Sequence, residues 1–338
     1  MALNRAVEDF VAEVGGTDTG PVCARGGGTQ WELGGAVAPG TREVRAPSGV
    51  VTHVPAEMTV RVGAGTTVDE LHELLAAHRQ TTALGGLPGA TVGGVLAAGR
   101  NSIDALGHGP VRDVLLEARY ASADGRLVTA GGPTVKNVTG FDLCRLLVGS
   151  LGTLGLLAEV TLRTRPLPAA SAWYSGAVEP FALVDRLYRP AAVLWDGTTT
   201  WVHLEGHAAD VAAQATVCEA AGCTAVAAPP AVGAHVAGLE PRALRSVIPA
   251  LVRHAASVAP AGAHPGPPAV AEVGTGVVHL AHPALLASLP GLLPPTAGPV
   301  TAARRPERLR TLHERLRDEF DPTRRLNPGR DPLAAAAR

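Results

Sequence analysis

Arg25-Gly26-Gly27-Gly28-Thr29, Leu87-Pro88-Gly89-Ala90-Thr91-Val92-Gly93-Gly94 and Gly149-Ser150-Leu151-Gly152-Thr153-Leu154-Gly155 are the stretches that decide how this chain reads. A phosphate binds well where successive backbone N–H groups converge with no side chain in the way. Glycine permits both the close approach and a positive φ. The Arg25 guanidinium and the Thr29 hydroxyl suit the charge of a diphosphate. Taken singly, each cluster describes a tight turn in a β-rich domain equally well. Three of them in the first half of the chain favour a nucleotide diphosphate.

Two familiar phosphate motifs fail. Gly63-Ala64-Gly65 follows a predicted strand and precedes a predicted helix, but the third glycine of a dinucleotide fingerprint would fall at Val68. No G-x-x-x-x-G-K-[ST] occurs, which excludes a P-loop NTPase. No Gly-x-Ser-x-Gly elbow is present either, so acyl transfer has no support.

Around the loops the first half reads as mixed α and β. Residues 4–14 predict a helix, and 59–62 alternate as a strand. Thr67-Val68-Asp69-Glu70 has the form of a capping box, followed by Leu71, Leu74 and Leu75 on one helix face. Residues 114–120 and 126–129 flank Ala123-Asp124-Gly125 as a hairpin. Residues 156–164 predict a strand with Val160 and Leu162 opposite Thr161 and Arg163. Beyond them, 208–221 and 304–320 predict helices and 273–280 a single strand.

Composition bounds the function. The 338 residues are 46% hydrophobic and 17% charged with a formal net charge of −1. That suffices for a full core and argues against disorder and against a polybasic nucleic-acid binder. No apolar run of about 18 residues predicts a membrane span, and residues 1–9 lack a secretory apolar region. Glycine (40) and proline (28) make up about one residue in five. Lys136 is the lone lysine among 29 basic residues. Cys23, Cys144, Cys218 and Cys223 show no C-x-x-C spacing, which predicts reduced thiols, a cytoplasmic location and no zinc or iron–sulfur site within the chain.

The order of the three loops, with the late Asn327-Pro328-Gly329, resembles the vanillyl-alcohol-oxidase-type FAD-linked oxidoreductases over about residues 20–168. Lys136-Asn137-Val138-Thr139-Gly140-Phe141-Asp142-Leu143 is similar to the smaller FAD-binding subunits of glycolate oxidase complexes. The resemblance implies an α+β fold: a two-part FAD-binding (PCMH-type) domain over 1–168, a smaller α+β cap domain over 169–330, and a tail at 331–338, with the flavin between the domains. It implies FAD held by Arg25, Gly26, Gly27, Gly28 and Thr29 in one loop and by Pro88, Gly89, Thr91, Gly93 and Gly94 in another. Gly155 and the backbone of Val160 would lie near the adenosine, and Asn327 would reach the flavin from the second domain. Gly28 and Thr29 stand where several relatives carry a flavin-linked histidine, which implies non-covalent FAD. The implied reaction is oxidation of a small 2-hydroxy acid such as glycolate or D-lactate. The implied partners are a larger flavin subunit and an iron–sulfur subunit.

The chain departs from larger 2-hydroxy-acid dehydrogenases at their H-x-G-D-G-N-x-H motif. Glu272-Val273-Gly274-Thr275-Gly276-Val277-Val278-His279 keeps only the glycines and the last histidine. Glu272 and His279 are too few ligands for a hard metal, and in one strand their spacing of seven puts them on opposite faces. No metal site is expected. His203 and His207 are four apart, but their glycine-containing, β-rich context argues against a helical metal pair. Nine arginines against five acids between Arg304 and Arg330 read as a solvated helix face. Lys136 reads equally as a solvated loop residue or as a point charge near an anionic group. No residue qualifies by motif as the catalytic base. A non-catalytic flavin-binding or electron-transfer subunit stays open beside the oxidase reading, and a stand-alone flavin reductase fits the C-terminal pattern less well.

Overall fold

The computed structural model describes residues 2–132, 142–258, 265–292 and 307–335. Lys136 and most of its motif lie outside them. The helices are α1 Ala2–Val14, α2 Val68–Ala76, α3 Val92–Ala98, α4 Ala105–His108, α5 Leu143–Leu147, α6 Pro180–Val184, α7 Ala208–Ala220, α8 Leu244–Val258, α9 Pro283–Leu292, α10 Glu307–Phe320 and α11 Pro332–Ala335. The strands begin with β1 Val22–Ala24, β2 Arg42–Val44, β3 Val50–Val54, β4 Thr59–Gly63, β5 Gln80–Thr81, β6 Leu115–Ala121, β7 Leu127–Gly131, β8 Leu156–Arg163 and β9 Arg165–Pro166. They continue as β10 Ala170–Gly176, β11 Ala192–Trp195, β12 Thr200–Gly206, β13 Thr224–Val226, β14 His235–Gly238, β15 Ala269–Glu272 and β16 Val277–Leu280. The α+β expectation stands.

The chain forms two compact units. The first comprises Met1–Ser102, Pro110–Leu167 and Arg308–Ala335; the second is built on Ile103–Gly109 and Pro168–Glu307. The sequence reading placed everything from 169 to 330 in the second domain, and this is corrected at its end. The physical reason is the Arg325 guanidinium, 3% exposed. It donates to the carbonyls of Val14, Gly15, Gly20 and Ala123 and to the Thr19 hydroxyl at 2.7–3.1 Å, so all of its nitrogens are engaged within the first unit. The Asp321 carboxylate accepts from the Arg325 and Leu326 amides at 3.1 and 2.7 Å. Leu326 then pairs in parallel with Val22. Composition marks where the chain leaves a unit at 166–168, but cannot show that it returns.

The first unit's main sheet has the order β3-β4-β8-β6-β7, antiparallel throughout. Strand β8 was expected to alternate; instead only Arg163 of its residues is exposed. Both faces are covered. On one, Val160 and Leu162 pack with Leu71 and Leu75 of α2 and Val95 and Leu96 of α3. On the other, Leu156 and Ala158 pack with Val7, Phe10 and Val11 of α1. Each fully buried leucine here contributes roughly 1.5–3 kcal/mol. Glu159 of β8, 1% exposed, is tolerated in this setting because Arg61 and Arg119 bond it at 2.6 and 2.9 Å. The capping box holds: Thr67 Oγ1 accepts from the Glu70 amide at 3.2 Å and the Thr67 amide donates to the Glu70 carboxylate at 3.0 Å.

The second unit is an antiparallel sheet of order β13-β10-β12-β11-β15-β16-β14. Helix α7 packs on β10 and β12, and α8 and α9 contribute Leu244, Ile248, Leu251, Leu285 and Leu289 to a core with β15 and β16. The single strand expected over 273–280 is a hairpin. Gly274 (φ +101) and Gly276 (φ +81) turn the chain between β15 and β16. Glu272 and His279 therefore sit on neighbouring strands and face each other, with Nε2 2.7 Å from Oε1. The opposite-face expectation fails because a turn, not seven strand residues, separates them.

Candidate functional site

The three glycine loops come together within the first unit. The first leaves β1, whose parallel pairing with β2 continues as the Arg25 amide donates to the Val44 carbonyl at 3.0 Å. The second is held against the turn after β4: the Val92 and Gly93 amides donate to the Thr66 and Ala64 carbonyls, each at 2.8 Å. Thr91 caps α3, its hydroxyl accepting from the Gly94 amide at 3.2 Å. The third is tied to α3 through the Gly149 and Leu151 amides, which donate to Leu96 and Ala97 at 2.9 Å. The Asn327 amide donates to the Val22 carbonyl at 2.8 Å, setting Asn327 beside the first loop.

These segments bound a cavity of about 390 Å³. Of the residues singled out in the sequence, Arg25, Gly26, Gly27, Gly89, Thr91, Gly93, Gly94, Gly155 and Asn327 line it. Gly28 and Thr29 line an adjoining hollow of about 100 Å³, which shares Gly26, Gly27, Thr91, Gly94 and Asn327 with the first. Pro88 is exposed beside Gly89 and outside both linings. Val160 is also outside them: it is 1% exposed and paired to Val62 and Ala118 in the middle of the sheet. Asn327 belongs to the first unit, not to the second domain as expected. Sequence reasoning missed Arg45, Ser48 and Thr67, which line the large cavity, and Gln30, Trp31 and Arg330, which line the small one. Only Thr67 carried a local signal, its capping box, and that pointed to a helix start rather than a cavity.

The chemistry of the lining suits an anion. Among the described residues, the Gly26, Gly27 and Gly28 amides donate to no protein acceptor. A Cβ on Gly27 would collide with the Gly89 carbonyl oxygen, so the first two loops touch only because position 27 has no side chain. Arg25 is bonded to Glu43 at 3.1 Å and lies over the Trp31 ring, 4.6 Å from its centroid. Arg330, 5% exposed, lies over the same ring at 4.7 Å. Its Nη1 donates to the Leu33 carbonyl at 2.7 Å and to the Gly35 carbonyl. Burial lowers its pKa, partly offset by Glu32. Burial likewise pushes the neighbouring Cys23 thiol up. Gln30 lines the small hollow with its side-chain oxygen buried and without a partner among the described residues.

The second unit holds two other polar groups. His203 is stacked on Trp173 at 4.4 Å, with Nδ1 2.7 Å from the Asp104 carboxylate and Nε2 2.9 Å from the Ser171 hydroxyl. Beside it His108 bonds Glu205 at 2.5 Å, so α4 and β12 exchange two imidazole–carboxylate pairs of opposite polarity. His203 lies in a strand, and His207 precedes α7 as its cap residue, so they form no helical pair. In the Glu272–His279 pair both residues are 3% exposed, and the Thr275 hydroxyl donates to the second Glu272 oxygen at 2.9 Å. No group of three or more His, Cys, Asp or Glu suited to a metal ion occurs among the described residues. No helix among them is long and apolar enough to cross a membrane.

Residues 7–131 match the family described as FAD binding domain. That stretch resembles an FAD-binding domain. It contains the first two glycine loops, while the third loop and Asn327 complete the cavity from outside the matched stretch. The chain is 37% identical over 152 residues to a D-lactate dehydrogenase of Archaeoglobus fulgidus, covering 43% of this chain and 33% of that protein. It is 33% identical over 163 residues to the glycolate oxidase subunit GlcE of Escherichia coli, covering 46% and 45%. The chain thus spans less than half the length of these relatives. Among solved structures, an alkyldihydroxyacetonephosphate synthase superposes with a TM-score of 0.66 at 14% identity, over 95% of this chain and 74% of the synthase, which is a likeness of fold.

Proposed function

We propose that the chain is an FAD-dependent oxidoreductase subunit of glycolate-oxidase type, taking part in the oxidation of a small 2-hydroxy acid such as glycolate or D-lactate. The observation that carries the reading is the cavity bounded by all three glycine loops and Asn327, the first two loops lying in the stretch that matches an FAD-binding domain. Free amides at Gly26–Gly28 would hold the diphosphate, with Gly89, Thr91, Gly93 and Gly94 closing over it and Gly155 and Asn327 beyond. Gly28 offers no side chain for a flavin bond, in keeping with non-covalent FAD. When bound, FAD supplies a hydride acceptor for the alcohol carbon. The protein's part is to bind, orient and exclude water, and to accept the substrate hydroxyl proton on a base.

The similarity to GlcE supports membership in a multi-subunit assembly; a larger flavin subunit and an iron–sulfur subunit are the partners we propose. Four free cysteines fit a cytoplasmic location. A second reading, a flavin-binding or electron-transfer subunit that does not itself oxidise substrate, is favoured by one observation. Glu272 and His279, the ends of the stretch that departs from the dehydrogenase motif, are buried and bonded to each other. The isolated chain separates the two readings. Yellow protein bleached by glycolate or D-lactate supports independent oxidation, and yellow protein inert to both supports the second reading.

A further inference from the structure

Two buried arginines lie five residues apart in the returning C-terminal segment, and their hydrogen bonding differs. Arg325 engages every guanidinium nitrogen with the protein and has no donor left over. Arg330 is comparably buried at 5% exposed, yet its only protein hydrogen bonds run from Nη1. Among the described residues its Nε and Nη2 donate to nothing, and no carboxylate forms an ion pair with it. Those two nitrogens are also not sealed off, unlike the unpartnered Nε of Arg317. A guanidinium has five N–H donors in a fixed fork and cannot shed its charge at ordinary pH. Burying it beside carbonyl dipoles alone is costly unless an anion completes the site.

Its position says which anion. Arg330 lines the small hollow together with Gly26, Gly27, Gly28 and Thr91, the glycines whose amides are free and the cap of the second loop. The Trp31 ring and the Leu33 and Gly35 carbonyls hold the guanidinium in place, so little side-chain entropy is lost when a ligand arrives. Arg25, the cation within the first loop, is instead ion-paired with Glu43.

We propose that Arg330 is the cation that meets the diphosphate of the bound nucleotide, through Nε and Nη2, while Nη1 stays on the Leu33 and Gly35 carbonyls. The proposal rests on the FAD-binding reading and goes beyond it by giving the diphosphate one specific charged partner outside the glycine loops. It also gives the C-terminal segment a ligand-binding task.

The test uses the full chain stripped of flavin and titrated with FAD, ADP and riboflavin, followed by fluorescence and calorimetry. Arg330→Met should weaken FAD and ADP alike by roughly ten- to a hundred-fold. Riboflavin, which lacks the diphosphate, should bind with unchanged affinity. Arg330→Lys guards against misfolding: one ammonium can hold the carbonyls or reach a phosphate, not both. It should melt as wild type does without ligand, yet bind FAD and ADP several-fold more weakly. A folded Arg330→Met, or Arg330→Lys if the former does not fold, that binds FAD and ADP as wild type does overturns the proposal and leaves the FAD reading standing. Wild-type chain that binds neither FAD nor ADP overturns the FAD reading itself.

Discussion

The backbone amide of Asn327 donates to the Val22 carbonyl at 2.8 Å, joining a residue near the C-terminus to the strand that launches the first glycine loop. Asn327 itself adopts φ +43, a left-handed conformation, and is 5% exposed at the wall of the cavity. The returning C-terminal segment is thus part of the cavity wall. What holds it there is the Asp321–Arg325 clamp.

Replacing Asp321 by Ala should loosen that clamp. The carboxylate is fully buried and accepts from the Arg325 and Leu326 amides and the Thr323 hydroxyl. Leaving those buried donors unpaired costs about 2–4 kcal/mol. Urea unfolding should show the loss, and proteolysis should release the last segment first. Unchanged stability would mean that the segment is held by other contacts.

Gly27→Val should abolish flavin loading. Its side chain meets the Gly89 carbonyl and parts the two loops, at a cost of about 1–3 kcal/mol in stability. The ratio of flavin to protein absorbance after purification reads the first effect and a thermal melt the second. Full loading would show that the loops need not touch.

The Glu272–His279 pair should behave as one coupled unit. Glu272→Gln, His279→Phe and the double variant should give a coupling of about 1–3 kcal/mol in a double-mutant cycle of unfolding free energies. Additive losses would dissolve the pair.

Stability should fall with acid through His72. Burial lowers its pKa in the folded chain below the ordinary imidazole value of about 6.5, Asp69 opposing in part. The unfolded chain therefore takes up a proton at higher pH than the folded one. Stability is complete above about pH 6.5 and declines as pH falls through the folded pKa, then levels off. Between pH 8 and 5, melts of wild type should show a steeper acid loss than melts of His72→Gln, which lacks the titrating imidazole. An equal acid slope in both would assign the loss elsewhere.

The elements written in local patterns were legible: the capping box at Thr67 and Glu70, the hairpin around Asp124, and the glycine loops as loops. Those that depend on tertiary covering were not. Thr161 and Glu159 are polar yet buried, because helices pack on both faces of β8 and Arg61 and Arg119 neutralise Glu159. The Gly274 and Gly276 turn was hidden in an apolar run that reads as one strand. Arg330 was counted in a solvated charge run, since nothing in its neighbours' identities shows that Trp31, some 300 positions earlier, shelters it. Non-local contacts of this kind leave no periodicity for a sequence to display.

The central claim is that the loops at 25–29, 87–94 and 149–155 jointly bind FAD. The most direct measurement is the visible spectrum of the isolated chain after addition of FAD and removal of the excess. Retained flavin absorbance near one equivalent, lost in Gly27→Val, is the result expected. A colourless chain that retains no added FAD would contradict the account.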